Sequence, residues 1–293
     1  MKNREFSIEI GIVALLVGLF VFVLLSPVAR EPVYQGKPLK VWLEAFDQNY
    51  QTTNYIAAQA AIRAMGTNTL PFLIRYLRSK DPPFHIQVVR WRAKLHLLGD
   101  KVDYATFWHR RAATACGELG ADGEAAFPAM VEAMNDYQAA SDVGDALSRM
   151  MPKSVPVLTN VLLKGNVTAR CRAADALTTA FSLAAVEEMG RTALLNALND
   201  PDPGPRATAA SAFQFWNTRL DLIVPVLARA LSDPDPSVRG NAATSLGNFG
   251  NAARPAVPML LKLLQDTNDY PRKRSAEMLL KIDPDAASKA GVK

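Results

Sequence analysis

One pattern recurs along most of this chain: a segment with paired alanines, followed by two large apolar residues three positions apart. Residues 109–120 read HRRAATACGELG, residues 170–181 read RCRAADALTTAF, and residues 239–250 read RGNAATSLGNFG. The first large apolar residue recurs at Ile62, Cys116, Leu147, Leu177, Phe213, Leu246 and Leu279. After a longer first gap, successive copies lie 30 to 36 residues apart. This period predicts one helical hairpin per repeat.

A second helix is predicted after each of the first six copies. Its signature is a proline in the first turn followed by apolar residues, at Pro71, Pro128, Pro156, Pro225 and Pro258. Proline is tolerated there because the first-turn amides have no acceptor within the helix. The fourth repeat departs from this pattern, since Thr192 stands at the proline position. We therefore predict an all-α protein, an α-solenoid of six and a half to seven stacked hairpins.

Asp-Pro turns separate the later repeats, at residues 199–203 and 232–237. Proline ends the preceding helix, and aspartate or serine caps the next one. Asp235 and Arg239 recur further on as Asp269 and Arg272. We expect such pairs to form a ladder inside the array. This structural role accounts for the aspartates without a catalytic one.

A family resemblance rests on the later repeats. The stretch 233–247 (DPDPSVRGNAATSLG), followed by 256–264 (AVPMLLKLL), resembles the HEAT or HEAT-like (phycocyanobilin-lyase type) repeat. The resemblance covers about residues 54–283 and is most specific in the last two repeats. It implies a right-handed superhelix whose second helices line the concave side, and it implies no reaction. Residues 33–43 are similar to the segment between anchor and repeats in some bacterial membrane-anchored HEAT-repeat proteins.

Residues 10–29 are apolar and uncharged, and they lie between Glu9 and Arg30. Twenty helical residues extend about 30 Å, which matches the hydrocarbon core of a bilayer. A cleaved signal peptide needs small residues before the cut, and Pro27 lies two positions before Ala29, the only candidate. A buried core helix would need a large domain around it. We predict an uncleaved transmembrane anchor after a short tail at residues 1–9.

The orientation of this single-pass anchor is not decided by the charges on its two sides. A short tail before the span and a large domain after it favour an extracytoplasmic solenoid. Residues 30–53 are predicted to form a linker and a capping helix, because the end repeat of a solenoid exposes an apolar face. Trp42 and Phe46 are the candidates for covering that face, with ligand stacking as the alternative role of Trp42. Residues 284–293 are expected to be a C-terminal tail.

The long first gap contains an insertion at about residues 81–107 that is rich in aromatic and basic residues. Across residues 80–111, seven Lys or Arg oppose three Asp, so this segment carries most of the net charge of +5. Its candidate partner-binding residues are Arg90, Trp91, Arg92 and Lys94. Insertions in solenoids often carry binding, so lipid headgroups or an acidic protein are the expected ligands. The alternative is an amphipathic helix packed beside the first repeats.

The second helices share a polar position four residues after the proline site. It is occupied by Arg75, Glu132, Asn160, Asn196, Arg229 and Lys262, which we call the polar ridge. One interpretation is a row of partner contacts along the array. The other is that any exposed helix position is polar. The mixed charge of the ridge disfavours a nucleic-acid groove.

Few residues in the chain suggest chemistry. Cys116 and Cys171 fall two repeats apart, which is too far for a disulfide. The three histidines lack the spacing of metal ligands, and no phosphate loop or nucleophile elbow is present. We therefore predict no catalytic residue, metal or cofactor, and no small-molecule substrate. The function expected is a membrane-tethered protein–protein interaction scaffold. The alternative is a HEAT-like lyase or another enzyme-associated factor that acts on a partner protein.

Overall fold

The protein is described by a computed structural model over residues 30–47, 50–81, 105–136 and 139–292. Within these ranges nearly all regular structure is helical. In chain order the helices are α1 (Leu39–Glu44), α2 (Thr53–Met65), α3 (Leu70–Leu77), α4 (Ala105–Leu119), α5 (Phe127–Ala133), α6 (Ala140–Arg149), α7 (Val155–Lys164), α8 (Val167–Ala176), α9 (Glu187–Ala197), α10 (Pro203–Ala212), α11 (Leu220–Ala230), α12 (Pro236–Asn248), α13 (Val257–Leu263), α14 (Asp269–Ile282) and α15 (Pro284–Lys289). Short 3-10 turns join several of them.

The helices from α2 onward pair as first and second members of successive repeats. In chain order the pairs are α2 with α3, α4 with α5, α6 with α7, α8 with α9, α10 with α11, and α12 with α13. Each second helix packs against the first helix of the following repeat, as α7 does against α8 and α11 against α12. Helix α14 opens a further repeat, and α15 packs against it. The seven anchor residues predicted from the period all lie at zero solvent exposure. The helical period therefore identified the core side of each first helix correctly.

The first helices pack closely against one another along the array. Their paired alanines are fully buried, among them Ala112, Ala173 and Ala242. A methyl side chain lets two helix backbones approach closely. Glycine allows an even closer approach between α12 and α14, where a Cβ added to Gly247 would lie 2.9 Å from the Cβ of Met278. The small residues on the first helices thus allow neighbouring repeats to pack at a short distance.

The second helices begin where the proline pattern predicted in four repeats, with Pro71, Pro128, Pro156 and Pro258 in the first turn. The prediction is wrong for the fifth repeat. Helix α11 begins at Leu220, so Pro225 lies inside it. Arg219, immediately before α11, has a left-handed backbone conformation with φ of 50°, so the chain turns just before the helix begins.

The segment before the repeats contains two short strands, so the all-α prediction is incomplete here. Val33–Tyr34 (β1) and Lys37–Pro38 (β2) pair antiparallel around a turn at Gln35 and Gly36, whose φ angles are 49° and 73°. Two successive positive φ angles define the tight turn that suits the twist of a hairpin. Helix α1 follows directly after Pro38.

The predicted membrane anchor, residues 10–29, lies outside the described residues. In the part of the chain that is described, no helix combines the length and the apolar character needed to cross a bilayer. The anchor therefore stays a prediction from the sequence.

A ladder of arginine–aspartate pairs joins the turns of successive C-terminal repeats. Each guanidinium donates two hydrogen bonds to the carboxylate of the next repeat, at 2.7–2.9 Å. The pairs are Arg170 with Asp200, Arg206 with Asp233, and Arg239 with Asp266. No side chain in them is more than 15% exposed. Bidentate, mostly buried pairs of this kind are the strong ones among ion pairs.

The ladder also fixes the backbone of the turns. Arg239 donates through Nη1 to the carbonyl oxygens of Asp233 and Pro234, at 2.8 and 2.9 Å. Asp266 in turn accepts from the backbone N–H of Asn268 at 2.8 Å. Each rung therefore connects three elements: a first helix, the turn before it and the turn after the repeat.

The predicted partner is correct for Arg272 and wrong for Arg239, although a ladder exists. Asp235 does not pair with Arg239 but caps α12 by accepting from the N–H groups of Ser237 and Val238. The carboxylate that binds each arginine comes from the following turn, 27 to 30 residues later. Arg272 contacts Asp269 within α14. The local four-residue spacing therefore misidentified a contact that connects neighbouring repeats.

A histidine occupies the ladder position in the second repeat. His109 aligns with Arg170 and Arg239 in the repeat register, and its Nε2 lies 2.8 Å from the carbonyl oxygen of Ser79. Its Nδ1 lies 3.5 Å from Asp136, which follows it by the same 27 residues. His109 was weighed from the sequence only as a metal ligand, although its place in the repeat register already aligns it with the arginines.

The close approach at Gly247 makes a prediction about stability. Replacing a helical glycine by alanine favours the helix by about 1 kcal/mol, but overpacking costs about 1–3 kcal/mol. At Gly247 the new methyl group would overlap buried Met278. We expect Gly247→Ala to lower the free energy of unfolding by about 1 kcal/mol, measured by urea denaturation followed by circular dichroism.

The matched control is Gly144→Ala in α6, where an added Cβ would meet its nearest neighbour, the carbonyl oxygen of Arg172, at 3.4 Å. This variant should be neutral or more stable. Equal stabilisation by both substitutions would contradict close packing of α12 on α14.

The ladder makes a prediction about pH. The hydrogen bond from Arg239 lowers the pKa of Asp266, and this outweighs the opposite effect of burial. A carboxyl group whose pKa is lower in the folded than in the unfolded state stabilises the fold above its unfolded pKa. That contribution is lost as the pH falls through the folded value. We expect thermal stability to fall below about pH 4 and Asp266→Asn to flatten this dependence.

At neutral pH, Asp266→Asn should cost about 2 kcal/mol, because a largely buried guanidinium loses its counter-charge. The control is Asp221→Asn, whose pair with Arg219 is at least half exposed on both sides. It should change the melting temperature little. Amide hydrogen exchange in α12 and α14 locates the effect, and equal losses in the two variants would argue against the ladder.

Candidate binding surface

The six residues of the polar ridge are exposed, one on each second helix. Their neighbours on the same helices supply the buried side, such as Leu73 in α3, Leu227 in α11 and Leu260 in α13. Each second helix is thus amphipathic, with its ridge residue directed away from the core. The ridge provides cations at both ends of the array and carboxamides in the middle, where Asn160 and Asn196 lie.

The N-terminal end of the ridge is held by contacts with its neighbours. The Arg75 guanidinium lies 5.4 Å from the ring centroid of Phe72 and 5.7 Å from that of Tyr76. Glu132 accepts two hydrogen bonds from Arg78, at 3.0 and 3.1 Å. Both partners of this pair are about half exposed, so it contributes little to stability. It does orient the Glu132 carboxylate at the surface.

The insertion residues Arg90, Trp91, Arg92 and Lys94 lie outside the described residues. The two ends of the insertion are described, and they meet. Asp81 accepts a hydrogen bond from the backbone N–H of Ala105 at 2.9 Å, at the first residue of α4. The described residues on the two sides of the insertion therefore lie next to each other, between the first and second repeats.

Two of the basic residues counted with the insertion bind the N-terminal segment instead. Arg111, which is 2% exposed, and Arg110 both donate to Asp47, at 2.9 and 3.2 Å. Burial alone would raise the pKa of Asp47, but the hydrogen bond and charge of Arg111, with help from Arg110, lower it. These two cations share the single negative charge of Asp47, so the positive charge available to an acidic ligand is one less than the sequence indicated.

Trp42 and Phe46 cover the end of the array, as their position in the capping segment predicted. Trp42 is 6% exposed, and its indole N–H donates to the carbonyl oxygen of Tyr34 at 3.2 Å. The Phe46 ring meets Tyr55 of α2 edge to face, with centroids 5.0 Å apart. A tryptophan this buried offers no ring face to a ligand, so the stacking alternative is not supported.

The cysteines are both free thiols in surroundings that suppress their ionisation. Complete burial raises the pKa of Cys116 to about 12, and partial burial raises the pKa of Cys171. A thiol that stays protonated at neutral pH is a poor nucleophile and a poor metal ligand. Across the described ranges, no three His, Cys, Asp or Glu side chains lie together as a metal site would require.

Comparison with known proteins gives one family match. A family model described as HEAT repeats matches residues 191–281. The search of curated proteins found no match.

The solved structures that resemble this chain include two engineered proteins and one human enzyme, all at low sequence identity. A crystal structure of an engineered protein is 20% identical, with a TM-score of 0.44 over 86% of this chain and 70% of its own. A second engineered protein is 20% identical, with a score of 0.41 over 84% of this chain and 96% of its own. Human deoxyhypusine hydroxylase in complex with glycerol is 17% identical. Its TM-score is 0.36, over 84% of this chain and 96% of its own.

The matched residues run from α9 to the end of α14 and contain the two best-conforming Asp-Pro turns of the ladder. The predicted resemblance to HEAT repeats is therefore confirmed over this part of the chain, since residues 191–281 match the HEAT-repeat model.

Proposed function

We propose that this protein is a non-catalytic scaffold, tethered to a membrane by residues 10–29, which binds a partner protein along its polar ridge. The observation that carries the proposal is the exposure of all six ridge residues at one register of six successive second helices. HEAT repeats commonly present such extended surfaces for protein–protein interaction. The proposed side of the membrane is the extracytoplasmic one.

The N-terminal segment supports the tethering part of this proposal. Glu31, two residues after the proposed span, accepts a hydrogen bond from the Tyr76 hydroxyl at 3.1 Å. Lys40 lies 5.3 Å from the ring centroid of Trp108, and Asp47 binds Arg111. The segment that follows the span is therefore fastened to both of the first two repeats. A tether at residues 10–29 would hold this end of the array close to the bilayer.

Charge reversal along the ridge tests the partner-binding part. In the variant Arg75→Glu, Arg229→Glu and Lys262→Glu, we expect recovery of partner proteins to fall at least about tenfold, because electrostatic complementarity at the contact is inverted. The measurement is affinity capture of the full chain from cross-linked, detergent-solubilised native membranes, quantified by mass spectrometry.

The matched control reverses Lys273, Lys281 and Lys289, which are exposed on α14 and α15 away from the ridge. It applies the same change in net charge and should leave recovery unchanged. If the ridge variant captures every partner at the level of the native protein, the ridge is not the binding surface. Protease accessibility on intact cells tests the extracytoplasmic placement, and recovery of a soluble chain that lacks residues 1–29 would exclude the tether.

A further inference from the structure

A cleft of about 740 Å³ opens between α7 and α9, the second helices of the third and fourth repeats. It lies where the repeat pattern is least regular. In this repeat α9 begins at Glu187, five residues before Thr192, which stands at the proline position, whereas four other second helices begin one residue before their proline. The cleft is large enough for one or two amino-acid side chains.

The walls of the cleft are mainly apolar, and two of the apolar residues are exposed at its mouth. Leu163 of α7 is 69% exposed, and Met189 of α9 is 44% exposed. Leu162, Ala193 and Ala197 lie below them and are buried. Single exposed apolar residues are common, but two that flank one cleft on neighbouring repeats form a local apolar site.

A ridge residue also lines the cleft. Asn196 is exposed, and its carboxamide forms no hydrogen bond with another described residue. A carboxamide offers one acceptor and two donors, which is the pattern that matches a peptide main chain. The two threonines of the lining are already engaged, since Thr159 donates to the carbonyl oxygen of Val155 and Thr192 donates to Glu188.

The charged groups at one end of the cleft leave an excess of negative charge. Arg191, whose side chain is 4% exposed, is shared by the carboxylates of Glu187 and Glu188, and the Glu188 side chain is 71% exposed. One cation for two anions at this end favours a positively charged occupant. At the other end Asp200 and Asp202 bind Arg170, and Arg206 also lies near Asp200, donating to its carbonyl oxygen at 2.9 Å.

We infer that this cleft binds an extended segment of a partner protein, with a large apolar side chain in the cleft and lysine or arginine beside it. The apolar side chain contacts Leu163 and Met189, the basic side chain meets Glu188, and Asn196 bonds to the main chain of the segment. This assignment rests on the proposed scaffold function and locates one partner contact on the ridge.

Short synthetic peptides test the inference with the full chain held in nanodiscs of neutral lipid. The peptides place Leu, Met or Phe beside Lys, Glu or Ser, and binding is measured by fluorescence anisotropy. Peptides with Lys should bind at least about tenfold more tightly than those with Glu. Glu188→Lys should invert this preference, because it turns the exposed anion at the rim into a cation.

Met189→Glu and Leu163→Glu should each abolish peptide binding, since they place a charge at the apolar mouth. The matched control is Leu222→Glu on α11, a leucine that is 39% exposed away from the cleft, and it should bind peptides normally. Circular dichroism melting of each variant shows that the fold is kept. Peptide binding without preference for Lys, unchanged binding by Met189→Glu, or occupancy by lipid acyl chains with no peptide bound would each overturn the inference.

A failure of the cleft inference can be distinguished from a failure of the proposed scaffold function. If Met189→Glu retains the native partners in the capture experiment while reversal of the ridge charges loses them, the cleft inference fails and the scaffold stands. If the ridge reversal also loses nothing, the scaffold proposal fails as well.

Discussion

The small residues of the first helices limit how the whole array is built. Buried alanine pairs and Gly247 let neighbouring first helices pack closely, and these contacts are more extensive than those between second helices. Apolar burial along this layer is the main source of stability, at about 25 cal/mol per Å² removed from water. Because the first helices carry most of the packing between repeats, the outer side of each second helix is free to present other residues, including the ridge.

The arginine–aspartate ladder fixes how neighbouring repeats are oriented relative to each other. An apolar contact between two helices tolerates sliding and rotation, whereas a bidentate guanidinium–carboxylate pair has one geometry. By bonding to the turn before and the turn after a repeat, Arg206 and Arg239 fix how neighbouring hairpins are set. The N-terminal end uses other residues for the same purpose: His109 contacts Ser79 and lies near Asp136, while Arg111 binds the capping segment through Asp47.

The repeat period of the sequence was sufficient to predict the helix pairs and their buried sides. The reason is that each repeat buries similar small and apolar residues at the same positions. Contacts between repeats were predicted less well. Asp235 and Arg239 are four residues apart and resemble a local pair, yet the true partner of Arg239 is Asp266, which only the stacking brings near. The cleft was also not predicted, since Leu163 and Met189 fit the apolar pattern of a helix and nothing local marks them as exposed.

The position of the cleft follows from how a repeat array acquires specificity. Identical repeats would present the same surface many times, so a partner could bind in several registers with similar affinity. A site that fixes one register must differ from its neighbours, and the fourth repeat differs most. Its second helix begins about one turn before the proline position, and Leu163, Met189 and Glu188 line one cleft there. The ridge would supply contact along the length of a partner, and the cleft would determine where along the array that partner sits.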